Sequence, residues 1–128
     1  MAYTYDPTNI FARILRGEIP NRTVLQSEHT LAFHDIAPHA PVHVLVIPKG
    51  PYVNFDHFSL EASEEEIVDF HRTAGQVIAL LDVQPGEGGE GYRVIANSGA
   101  HGMQEVPHYH IHILGGRVLG PLLMRSDR

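Results

Sequence analysis

A chain of 128 residues with a formal charge of −6 is too short for two ordinary domains and too acidic to hold nucleic acid or an anionic membrane through bulk charge. Hydrophobic residues at 43% supply a core, and the absence of cysteine excludes a disulfide framework, a thiolate zinc site and a Cys nucleophile. No apolar run reaches the ~20 residues of a membrane span, and Met1 to Pro7 has neither a basic start nor an apolar centre, so no signal peptide is expected and the cytoplasm is the expected compartment.

Asp6-Pro7-Thr8 predicts a helix start, a side-chain acceptor followed by a proline that the first turn tolerates. Ile10, Phe11, Ile14 and Leu15 then share one helical face, and Gly17 with Ile19-Pro20 ends it. Thr23 to Gln26, Leu31 to Asp35 and Val42 to Ile47 read as strands, the last stopping at Pro48. The connection Ala37 to Pro41 is too short for a helical crossover, which makes the second and third strands antiparallel neighbours.

Ser63-Glu64-Glu65-Glu66 reads as a capping box, with acids at the positive end of the helix dipole. Ile67, Phe70, Ala74, Val77 and Leu81 follow as a stripe facing a core. Gly75 within it costs about 1 kcal/mol relative to Ala, an expense that close approach to a neighbouring backbone would offset. Gln84 to Gly91 is a solvated Gly-rich turn. Tyr92 to Asn97 and His108 to Leu114 complete the strands, joined by the loop Ser98 to Pro107. The expected fold is one α+β domain over residues 1–128. It has a five-stranded, mostly antiparallel sheet with a short N-terminal helix and one long helix, helices on one face.

The ten histidines outnumber the nine Lys and Arg together, and they cluster. Along His108-Tyr109-His110-Ile111-His112-Ile113-Leu114 the alternation of a strand puts His108, His110 and His112 on one face and Tyr109, Ile111 and Ile113 on the other. Three imidazoles in a row make a poor core, since each ring has two nitrogens to satisfy. A His₃ metal site is one use of such a row. Nucleophilic attack by imidazole, for which phosphorus is a natural electrophile, is the other. The loop Asn97 to Pro107, with Gly99 and Gly102, offers backbone N–H groups beside the row and reads as a phosphate cradle. His34, His39, His57, His71 and His101 carry no assigned role.

The row also fits the histidine triad pattern, His-φ-His-φ-His-φ-φ. With Gly115-Gly116-Arg117, Ile10-Phe11, Glu18-Ile19-Pro20, Ala32-Phe33-His34-Asp35-Ile36, Ala40-Pro41-Val42-His43 and Val46-Ile47-Pro48-Lys49, the chain resembles the Hint branch of the histidine triad (HIT) superfamily, bacterial type. The resemblance covers about residues 8 to 117 and leaves 118–128 as a tail. It implies hydrolysis of the P–N bond of purine nucleoside 5′-phosphoramidates, of the adenosine 5′-monophosphoramidase type, without cofactor or metal. Implied partners are a purine nucleotide such as AMP and a second copy of the chain, joined through the long helix and a neighbouring strand. The alternatives are a dinucleoside polyphosphate hydrolase, as in the Fhit branch, and a nucleotide-binding scaffold whose catalysis is incidental.

The resemblance also implies roles. His110 is the nucleophile that becomes nucleotidylated, one nitrogen donating to a backbone carbonyl so that Nε2 is free to attack. His112 contacts the phosphate, His108 buttresses the row, and His43 handles protons. Asn97, Gln104 and the Val106 N–H bind the phosphate region. Asp35 accepts from the ribose, and Ile10, Phe11, Phe33 and Ile36 surround the base. Two departures stand out. Glu105 occupies the place of a hydroxyl residue that helps the leaving group in eukaryotic members, and the tail lacks a Trp-Pro ending.

Overall fold

The computed structural model describes residues 3–124; the start of the chain and the end of the 118–128 tail lie outside them. In chain order the elements are α1 (Ile10–Leu15), β1 (Thr23–Gln26), β2 (Thr30–His34), β3 (Val42–Pro48), α2 (Phe55–Glu61), α3 (Glu64–Leu80), β4 (Tyr92–Ile95) and β5 (Ile111–Gly115). The five strands form one antiparallel sheet in the order β1-β2-β3-β5-β4. The last strand of the sequence is thus inserted beside β3, with Leu45 opposite His112 and Val46 opposite Ile111.

The two faces of the sheet differ in content. Ala32, Val44, Val46, Ile111 and Ile113 point into the main core, where they meet Phe58 of α2 and Phe70, Ala74, Val77 and Ile78 of α3. Tyr109 lies stacked against Phe58 and Phe70, at centroid distances of 5.1 and 5.2 Å. Leu31, Phe33, Leu45 and Ile47 point the other way and are covered by Phe11, Ile14 and Leu15 of α1. The expectation of helices on one face is not met; α1 lies on the opposite side from α3, because its apolar stripe is matched by the odd-numbered residues of β2 and β3.

α3 begins with the expected capping box: Ser63 Oγ accepts from Glu66 N–H, and Glu66 Oε1 accepts from Ser63 N–H. It is tied to the β1–β2 turn by Asp69, whose Oδ2 accepts from Ser27 Oγ, Thr30 Oγ1 and the His29 N–H. Burial pushes that carboxyl up, but these hydrogen bonds outweigh it and hold its pKa below the usual value. Gly75 does not meet a neighbouring backbone. It is exposed, with nothing within 4 Å of where a Cβ would be.

Two further boundaries depart from expectation. α1 is capped by Asn9, whose side chain accepts from the Ala12 N–H, and Asp6 instead closes the preceding turn by accepting from Thr8. α2 was not foreseen at all. Its cap is Asn54, accepting from the His57 N–H.

Candidate active site

The histidine row begins before β5 does. Only His112 lies in the ladder, because β3 ends at Pro48, which has no N–H to continue the pairing. Residues 108–110 use other partners: His108, at a bend, donates its N–H to the Val106 carbonyl, and Tyr109 N–H donates to the Tyr52 carbonyl. Alternation nonetheless holds. Tyr109, Ile111 and Ile113 enter the main core, and the three histidines lie on the α1 face.

Each ring has a definable proton. His110 Nδ1 is 2.7 Å from the His108 carbonyl, which can only accept, so Nδ1 carries the hydrogen and Nε2 the lone pair. His108 is fully buried. Its Nε2 donates to the Pro48 carbonyl at 2.8 Å, and its Nδ1 accepts from the Tyr5 hydroxyl at 2.6 Å. His43 Nδ1 accepts from the His39 N–H at 3.0 Å, which puts its proton on Nε2. That Nε2 lies 2.9 Å from His112 Nδ1 and 3.4 Å from Asp35 Oδ2. His112 therefore accepts at Nδ1 and presents Nε2–H.

Burial is the first cause of every shift in this row. It lowers the pKa of His108 to about 4, and that of His112 to about 4 with help from the neighbouring His110 and His43. His43 and His110 are also lowered by burial, against the opposing pull of Asp35 on both and of the His108 carbonyl and Glu105 on His110. At neutral pH the row consists of uncharged imidazoles, which is the state a nucleophile and a hydrogen-bond relay need.

Asp35, His43 and His112 also offer ligand atoms within 4.8 Å of one another. The donor set fits a metal poorly as it stands. The only proton of His43 is on the atom that would have to bind, and moving it to Nδ1 would set N–H against the His39 N–H.

The other expected residues divide into those at the row and those beneath it. Phe11 packs edge-on against His110 at 4.9 Å and against Phe33 at 5.7 Å, and both phenylalanines are buried, forming the floor rather than an open wall. Ile10 and Ile36 are exposed, at 42% and 93%. Asp35 Oδ1 is held by the Ala37 N–H. Asn97 is half-buried just beyond β4.

Gln104 differs most from expectation. Its amide hydrogens go to the Val53 and Val106 carbonyls and its oxygen accepts from the Gly99 N–H, so it braces the loop instead of facing a phosphate. Gly102 is required by the same loop, since a Cβ there would lie 2.5 Å from the Ser98 carbonyl oxygen. The Val106 N–H has no acceptor among the described residues. Glu105 is exposed. Of the unassigned histidines, His57 is buried and accepts from the Val53 N–H, while His71 and His101 are exposed. Tyr5 and the His39 N–H escaped the sequence reading, because a partner 103 positions away and a backbone donor leave no local pattern.

A fold of this strand order, with three histidines on the face opposite its long helix, defines a protein class. The HIT domain family model matches residues 16–119, and the chain belongs to that family, in its Hint-like branch. A HIT-like protein of Azospirillum brasilense is 54% identical over 126 residues, covering 98% of this chain and all of the relative. The purine nucleoside phosphoramidase of Escherichia coli (strain K12) is 44% identical over 116 residues, covering 89% of this chain and 92% of that one. Among solved structures, a histidine triad protein from Clostridium difficile superposes with a TM-score of 0.78 at 32% identity, covering 94% of this chain and all of its own. The arrangement of the histidines is that of a HIT-family hydrolase.

Proposed function

We propose that the chain hydrolyses purine nucleoside 5′-phosphoramidates through a nucleotidyl-histidine on His110. The observation that carries this reading is the pairing of an unprotonated His110 Nε2 with the neighbouring Nε2–H of His112, their ring centroids 5.1 Å apart. One supplies an electron pair to phosphorus while the other supplies a hydrogen bond to a phosphate oxygen. The bond from Nε2 to phosphorus forms as the P–N bond breaks, and the leaving nitrogen takes up a proton. Water then attacks the same phosphorus, and the electron pair returns to Nε2.

In this reading the His108 carbonyl stabilises the His110 ring as it becomes cationic, and the Val106 N–H adds a second donor to the phosphate. Asp35 receives the ribose, Ile10 and Ile36 grip the base above the Phe11–Phe33 floor, and Asn97 contacts the phosphate region. Gln104 acts by holding the loop that presents Val106. The identity with the Escherichia coli phosphoramidase supports the choice of substrate.

The test is an assay of adenosine phosphoramidate, lysine-conjugated AMP and diadenosine polyphosphates, each with and without chelator. Fastest turnover of the phosphoramidates, undiminished by EDTA, is the expected result. Preference for the polyphosphates would favour the Fhit-like alternative. Activity lost on EDTA and restored by stoichiometric zinc would make the protein a metalloenzyme.

The chain is also proposed to pair with a second copy. α3 packs across β1, β2 and β3, which leaves Tyr92 and Val94 of β4 uncovered on the same side, 42% and 46% exposed. Val68 and the open Gly75 lie on the outer surface of α3. Sedimentation at micromolar concentration tests this, and a monomer there would refute it.

A further inference from the structure

His43 has two neutral tautomers, and its surroundings select one. The His39 N–H donates to Nδ1, and Asp35 Oδ2 and His112 Nδ1 both face Nε2. The same residue is held at its carbonyl by the turn that follows β5. Arg117 Nη2 donates to the His39 carbonyl at 2.9 Å, while its Nη1 donates to the Val118 carbonyl at 2.9 Å. Gly116 adopts φ 90°, and a Cβ there would lie 2.8 Å from Cβ of Pro41. The turn therefore rests directly on the connection between β2 and β3, and Arg117 fastens it there.

The choice of tautomer reaches the substrate. If His43 carried its proton on Nδ1, its Nε2 would turn into an acceptor, and His112 would have to donate through Nδ1. The lone pair of His112 would then move to its own Nε2, which would present electron density where a phosphate oxygen is expected. One proton shift on the His43 ring would invert what the pair offers to an anion.

We propose that Arg117 is a positioning residue: through the backbone of His39 it fixes the tautomer of the His43–His112 pair and keeps the His112 Nε2–H directed at the substrate phosphate. The consequence for turnover rests on the phosphoryl chemistry proposed above, whereas the tautomer itself does not.

The experiment is nitrogen-15 NMR of the imidazole rings in the free protein at neutral pH, for the wild type, R117A and R117K. Each ring nitrogen reports directly whether it bears hydrogen, a readout that a general loss of packing does not convert from one tautomer to the other. Wild type is expected to show hydrogen on Nε2 of both His43 and His112. R117A, an exposed substitution that leaves the core intact, is expected to populate the Nδ1–H form of both rings. R117K, whose ammonium still donates to the His39 carbonyl, is expected to return towards the wild-type pattern. With a phosphoramidate substrate, kcat/KM of R117A should fall about fivefold and that of R117K less. Identical tautomers in wild type and R117A overturn the assignment. A tautomer shift in R117A without phosphoramidase activity in the wild type would uphold it and refute the proposed substrate instead.

Discussion

The proton of His110 resides on Nδ1 because that atom faces a backbone carbonyl, which cannot donate. A nucleophile of this kind acts mainly in the transition state, so its loss falls on kcat. His110→Asn should lower kcat by about 10³-fold or more, with the affinity for AMP measured by calorimetry nearly unchanged. Near-normal turnover would remove His110 from the reaction. Glu105 stands apart from the row but is exposed, and its charge reaches His110. A carboxylate there should favour cationic leaving groups. Comparing lysine-linked with neutral alkylamine-linked AMP, Glu105→Gln should reduce the preference by about three- to fivefold, and an unchanged ratio would place the carboxylate away from the leaving group. Much of the row was legible in the sequence, since strand alternation alone places three histidines together, whereas Asp35 and His43 entered only through the resemblance to the family. Gln104 was misjudged because an amide that can face a phosphate can equally brace a loop, and only the neighbouring carbonyls decide.

The elements that sequence located well are those with a long repeating pattern or a clear stop. α3 has both a capping box and a stripe whose Phe70, Ala74 and Val77 are buried. β3 is apolar from Val44 to Pro48, as a strand covered on both faces should be, with His43 the one polar side chain in it. α2, at seven residues, is too short to show a full stripe, and its Asn54 cap follows a Pro-containing loop that reads equally well as a turn. The side of the sheet taken by α1 was hidden for another reason. An amphipathic helix announces that it has an apolar face but not which sheet surface receives it. Gly75 shows the same limit in reverse: its cost to the helix is predictable, but no backbone neighbour approaches it among the described residues. Gly75→Ala should stabilise the chain by about 0.5–1 kcal/mol, seen as a raised denaturant midpoint. Destabilisation there would mean that the open space is not open in solution.

Across the whole molecule, the buried histidines make stability depend on mild acid. His108 has its pKa lowered from 6.5 to about 4, so between those values the unfolded chain binds a proton that the folded chain refuses. Stability is then complete above pH 6.5 and declines as the pH falls towards about 4, by about 3 kcal/mol for His108 alone. His112 acts in the same sense, with a smaller share because it is partly exposed. Asp69 and Glu66, whose pKa values are lowered, remove further stability only at still lower pH. Urea titrations across this range should show the decline, and a flat profile would mean that the rings are protonated in the folded state. The strand order carries a different consequence, for the birth of the chain. β5 is the last strand in chain order among the described residues, yet it lies between β3 and β4. Until it leaves the ribosome, Val42–Pro48 has an unpaired edge, apolar but for His43, with most of its future neighbours already synthesised. The nascent protein is therefore most exposed to self-association in the interval before residues 111–115 emerge.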